Sequence, residues 1–149
     1  MPQLTDIRTA IKTLLKTLKT ANGYSTNLPD DHIYDVFDPD KVADKDDTTY
    51  PKAFLVSDDG TYQKMPANRI RRQNNYSLIV IVKTLATGLA ASEKIELLIE
   101  DVEDLLLSDD TLGNLVQDIS LTRFITDSGY AAPEGAAVFK IKVDFFEQR

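Results

Sequence analysis

Residues 70–84 read Ile70-Arg71-Arg72-Gln73-Asn74-Asn75-Tyr76-Ser77-Leu78-Ile79-Val80-Ile81-Val82-Lys83-Thr84. In an extended chain, successive side chains point to opposite faces. Tyr76, Leu78, Val80 and Val82 then share one face, and Ile79 and Ile81 the other. β-branched and aromatic residues suit a pleated surface, so the stretch is a strand. Its second half is apolar on both faces, which predicts a central strand covered on two sides. Helices of this chain are expected to supply one cover. A second subunit is a candidate for the other.

On the N-terminal side, Leu4, Ile7, Ile11, Leu14, Leu15 and Leu18 recur at helical spacing. Thr5 is the expected N-cap and Asn22-Gly23 the expected stop. Arg8, Lys12, Lys16 and Lys19 form a basic stripe beside the apolar one. Such a stripe is either a solvated flank or a contact for an acidic neighbour. His32 to Phe37 reads as a short strand, followed by an acidic loop over 38–49. Ala53 to Ser57 reads as a further short strand, and Asp58-Asp59-Gly60 as a turn. Residues 58–68 should form a hairpin arm, with Met65-Pro66 interrupting any strand.

On the C-terminal side, a helix is expected from Leu89 or Ser92 to Leu107. Ile95, Leu98, Ile99, Val102, Leu105 and Leu106 form its core stripe, and Glu93, Glu96, Glu100, Glu103 and Asp104 its outer face. Leu115 to Thr126 is read as a strand with Ile119, Leu121 and Ile125 on one face. After a loop through Pro133-Glu134-Gly135, Ala137 to Phe146 closes the chain as a strand with Phe139, Ile141, Val143 and Phe145 inward. The expectation is an α+β domain over 1–149, with a mainly antiparallel sheet of four to five strands and two amphipathic helices on one face. The strands joined by the second helix either pair in parallel or lie apart.

A net charge of −7 disfavours non-specific binding to nucleic acid and to anionic membranes. The chain has no cysteine, which removes disulfides and thiolate metal sites. The longest aliphatic run, Leu78 to Val82, is far too short to span a bilayer. One histidine, His32, stands without a nucleophile motif, and no glycine-rich phosphate loop precedes a helix. Asp38, Asp40, Asp44 and Asp46 approach the offsets of a calcium loop, but Val42, Ala43 and Thr49 occupy positions that need oxygen ligands or glycine. No catalytic, metal or cofactor set is expected.

The layout resembles the tail-terminator proteins of long-tailed bacteriophages, the lambda-like class, over nearly the whole chain. The resemblance is carried by the helix from Asp6-Ile7-Arg8, the strand ending Tyr34-Asp35-Val36-Phe37, and the loop closing on Tyr50-Pro51-Lys52-Ala53-Phe54-Leu55-Val56. It continues through the central strand, the Ser92-Glu93 helix start, the Ser108-Asp109-Asp110 turn, Asp127-Ser128-Gly129-Tyr130 and the aromatic-tipped last strand. The chain departs from the class in its longer arm between Ser57 and Arg69.

The resemblance implies a structural virion protein without catalysis. It implies a homohexameric ring on the growing end of the tail tube that stops polymerisation and then presents a surface to the neck. The implied partners are further copies of the chain, the major tail tube protein, the neck or head–tail connector, and a sheath protein if the tail is contractile. The implied location is the tail–neck junction of the virion, after assembly in the host cytoplasm. DNA would pass through the ring without specific binding.

A ring needs two different complementary surfaces per subunit. Arg69, Arg71 and Arg72, with Arg8, Lys12 and Lys16, are expected to meet Glu96, Glu100 and Glu103 of a neighbour. Tyr62 and Met65 on the arm are candidates for contact with tube or neck. Acidic residues near a lumen would repel passing DNA, and neutralising Asp38, Asp40 and Asp44 would test the acidic loop for that role. The rival readings are a neck or head-completion protein, and a small-molecule-binding α+β domain with a concave pocket.

Overall fold

A computed structural model describes residues 4–35, 51–83, 89–109, 111–126 and 134–148. Helix α1 (Leu4–Leu15) leads through 3-10 turns at Thr20–Asn22 and Asp30–His32 to strand β1 (Ile33–Tyr34). Strands β2 (Lys52–Met65) and β3 (Arg69–Lys83) form a long hairpin. Helix α2 (Leu89–Leu107), strand β4 (Asp118–Thr126) and strand β5 (Glu134–Gln148) follow. The sheet order is β1-β2-β3-β5-β4. Among the described residues only the β1–β2 pair is parallel; the other three are antiparallel. The expected α+β class therefore holds. Strands β3 and β4, which flank α2 in sequence, lie apart with β5 between them.

The apolar periodicities account for the core. Ile7, Ile11 and Leu15 of α1 and the six expected residues of α2 are buried in one cluster. That cluster takes the same sheet face throughout: Leu55 of β2, Leu78 and Val80 of β3, and Phe139, Ile141, Val143 and Phe145 of β5. Both helices thus cover one face. The other face is partly closed by the chain itself. Phe54 is fully buried and Ile81 nearly so, and the Tyr34 ring stacks on Phe54 at 5.1 Å between centroids. A second subunit is not needed to cover these two residues.

Local readings fail where side chains from distant strands intervene. Asp58-Asp59-Gly60 is not a turn; β2 continues through it with a bulge between Ser57 and Gly60. Ser77 Oγ donates to Asp58 Oδ2 at 2.6 Å, and Asn75 Nδ2 to Asp59 Oδ1 at 2.8 Å. These cross-strand bonds hold the segment extended. Gly60 is required by proximity, since a Cβ there would lie 2.7 Å from Asn74 Oδ1 and 3.1 Å from Gln73 O. The arm ends at Met65, as Pro66 predicts, and Ala67 and Asn68 turn it with φ of 64° and 60°.

A second bulge, between Leu121 and Arg123, reverses the facing of β4. Ile119 and Leu121 pair with the inward residues Val143 and Ile141, but beyond the bulge Phe124 takes the inward position opposite Phe139. Ile125 moves to the other face opposite Val138 and is 42% exposed. The extra residue breaks the period of two on which the expected facing rested. Other differences are shifts of boundary. Helix α1 ends at Leu15, with Leu18 buried beyond it; Thr5 lies inside the helix; β4 begins at Asp118; and Glu134-Gly135 belong to β5. The acidic loop over 38–49, Val36-Phe37 and 127–130 lie outside the described residues.

Candidate functional site

The sign-segregated charges were the candidate site, and the fold sorts them into engaged and available groups. Arg8, one turn into α1, reaches over the edge of β2. Its Nη1 donates to Leu55 O at 2.7 Å and Asp35 O at 3.1 Å, and its Nη2 to Ser57 Oγ at 2.5 Å. Lys12, one turn later, pairs with Asp35 at 3.1 Å. Lys19 pairs with Asp30 at 3.0 Å and donates to Leu28 O. Much of the basic stripe therefore ties α1 to the segments beside it. Lys16 remains exposed.

At the far end of the hairpin, Arg71 clasps Asp144 of β5, with Nε to Oδ1 at 3.1 Å and Nη2 to Oδ2 at 2.6 Å. Arg72 sits opposite Tyr62 in the β2–β3 register. Its guanidinium lies 4.8 Å from the Tyr62 ring centroid, and Nη2 donates to the Tyr62 hydroxyl at 3.3 Å. Arg69 lies 4.4 Å from the Phe146 ring centroid while remaining exposed. Arg69, Arg71, Arg72, Tyr62 and Met65 thus gather at one end of the sheet. Tyr62 is 67% exposed. Met65 is half-buried.

The acidic candidates lie on α2, which packs on β4 and β5, away from the arm's edge of the sheet. Glu96 and Glu100 are exposed, and Glu103 is half-buried. Within this chain they do not meet the arginines of the arm in any described ion pair.

Sequence reasoning missed a groove beside these acids. Leu107, Ile119, Leu121, Phe124 and Phe139 line it between the end of α2 and β4, with Glu103 at its rim. Leu107 is 62% and Phe124 50% exposed. The signal was present only as Phe124 on the face opposite the expected apolar one, and the bulge that turns it inward is not legible locally. Asp101 was also missed. It is buried on α2, and its Oδ1 accepts from the Ser25 backbone N–H at 3.2 Å, which ties the loop after α1 to that helix.

A smaller cleft lies between the start of α1 and the β2 bulge, lined by Arg8, Asp58, Asp59, Tyr62, Arg72 and Tyr76 among others. Arg8, Asp58, Asp59 and Arg72 all have hydrogen-bond partners in the chain, so the cleft holds no convergent set of uncommitted groups. Burial pushes the Tyr76 hydroxyl above its ordinary pKa. Among the described residues no cluster of three His, Cys, Asp or Glu could hold a metal ion. Among them, too, no helix is long and apolar enough to cross a membrane.

Among the described residues, two carboxyls titrate below the ordinary range. The hydrogen bonds from Arg71 hold Asp144 down, and the hydrogen bond from Lys12 holds Asp35 down. A carboxyl depressed in the folded state stabilises the fold above its unfolded pKa, about 3.9, and that contribution is lost as pH falls through the folded value. Stability is therefore expected to fall below about pH 4. Asp144→Asn should cost more at neutral pH than at acid pH, in urea titrations at both. An equal cost would mean that the Arg71 pair adds nothing to the acid dependence. The effect is modest, because the Arg71 side chain is 39% exposed and solvent screens it.

No known protein family matches the chain. No curated protein matches it either.

Proposed function

We propose that this chain is a structural virion protein of a long-tailed bacteriophage. It closes into a homohexameric ring on the end of the tail tube, stops tube polymerisation, and offers the surface to which the neck of the filled head attaches. Its partners are further copies of itself, the tail tube protein and the neck connector, with a sheath protein if the tail contracts. It acts without catalysis and without cofactor, at the tail–neck junction.

The observation that carries this reading is the placement of two unlike surfaces on opposite sides of one sheet. The cationic, tyrosine-bearing end of the β2–β3 hairpin lies on one side, and an acidic helix with an apolar groove lies at the β4 side. Unlike surfaces on opposite sides are what a head-to-tail ring requires. The order of elements along the chain, and the pairing of both helices on one face, suit the tail-terminator resemblance.

The test is electron microscopy of particles assembled with the gene deleted. Overlong tubes without heads are expected. Tubes of normal length left unjoined to filled heads would move the protein to the neck. Normal infectious particles would overturn the virion reading.

A further inference from the structure

The geometry points to a specific junction between copies: the tip of the β2–β3 arm seats Tyr62 in the groove between α2 and β4 of a second copy. This rests on the ring reading and names the two surfaces that meet.

The groove is apolar and incompletely filled. Leu107 and Phe124 expose 62% and 50% of their surface beside the buried Phe139. Exposed apolar surface rimmed by charge marks a contact site more often than it marks solvent. Its charged lining is two carboxylates, Glu103 and Asp118, against one cation, Arg123, and Glu100 stands one turn earlier on α2. The arm is its complement. Tyr62 stands 67% exposed, with exposed Lys64 and Arg69 beside it around one hollow. Arg72 holds the Tyr62 ring and hydroxyl in place, so little side-chain freedom is lost on docking. A held tyrosine beside Lys64 and Arg69 matches a largely apolar slot whose lining carries a net negative charge from Glu103 and Asp118 against Arg123.

The arm belongs to β2 and β3 and the groove to the edge strand β4, on opposite sides of the sheet, so within one chain they do not meet; the occupant is a second copy and the contact is heterologous. The strand directions agree with this. Three antiparallel steps from β2 to β4 set these two strands running in opposite senses. A copy rotated about an axis along the strands therefore brings its β4 antiparallel to β2. Bulges interrupt both strands, so side-chain docking and not a continuous ladder supplies the contact. Arg8, Lys12 and Arg71 take no part, because their charge is used inside the chain.

The chain has no cysteine, which allows clean covalent mapping. Full-length protein carrying Tyr62→Cys and Leu107→Cys is treated with a short bis-maleimide, free in solution and in the presence of tube ends. A ladder of covalent oligomers is expected, and none from a Tyr62→Cys, Thr13→Cys control. In a second measurement, Lys64→Glu with Arg69→Glu forms one variant and Glu100→Lys with Glu103→Lys another. Each should weaken self-association in sedimentation by about 30-fold or more, the scale of an interface hot spot. An equimolar mixture should restore it, because each reversed arm then meets a reversed groove. Circular dichroism checks that both variants fold.

Wild-type rings without the 62–107 link, or no rescue on mixing, would overturn this junction and leave the ring reading standing. Absence of wild-type self-association under every condition would overturn both. Linkage of Tyr62→Cys or Leu107→Cys only to a different virion protein would overturn the second copy as occupant.

Discussion

Phe139→Ala is expected to lower the stability of the chain by about 3–5 kcal/mol. Phe139 is fully buried in β5 on the face that both helices cover. It pairs with Leu78 on one side and Phe124 on the other, so its ring joins the central strand to the edge strand. Truncation removes the transfer free energy of the ring and leaves a cavity where it packed. A domain of this size has a total stability of about 5–15 kcal/mol, so the loss is a large share of it. Urea unfolding gives the value directly. Phe139→Leu keeps most of the volume and should cost less. A loss under about 1 kcal/mol for the alanine variant would mean that the site relaxes, contrary to a close-packed interior. Because Phe139 also floors the groove at β4, the leucine variant tests whether groove shape matters to assembly when the fold survives.

The second large effect is expected at Arg8. Its guanidinium gathers the carbonyl of Leu55, the carbonyl of Asp35 and the hydroxyl of Ser57, and lies 6.0 Å from the Tyr76 ring centroid. Its side chain is 22% exposed, so these bonds are partly shielded from water. Arg8→Ala leaves a part-buried acceptor on β2 unpaired and releases the start of α1. Hydrogen bonds to a charged group contribute about 1.5–3 kcal/mol, and a loss in that range is expected in urea unfolding. Arg8→Lys should recover only part of it, because an ammonium cannot present the planar fork that reaches several acceptors at once. Hydrogen exchange in α1 should rise in the alanine variant. Unchanged exchange there would show that apolar packing of Ile7 and Ile11 alone holds the helix.

These two sites mark how far local patterns carry. Phe139 was legible as a core residue, since strict alternation from Phe139 to Phe145 puts one face inward wherever the strand lies. Arg8 was legible only as a cation on a helix flank. Its acceptors stand 27 to 49 residues away in the chain, and no local pattern encodes that meeting. The same holds for Arg71, whose partner Asp144 is 73 residues distant. On sequence the three arm arginines looked equivalent, whereas the fold spends the charge of Arg71 on Asp144 and leaves Arg69 exposed.

By itself the sequence determined the two helices, the faces they bury, the two-sided central strand and the end of the arm at Pro66. Each depends on the period of neighbouring residues or on the missing N–H of proline, and such terms act within a few residues. Only the tertiary structure decided the strand order, the two bulges and the pairing of the charges. A bulge depends on the strand opposite, as Ser77 and Asn75 show in drawing Asp58 and Asp59 into the sheet. The bulge after Leu121 then turns Phe124 toward α2 and opens the groove with Leu107. Facing is a cumulative property of the ladder, and one extra residue inverts everything beyond it.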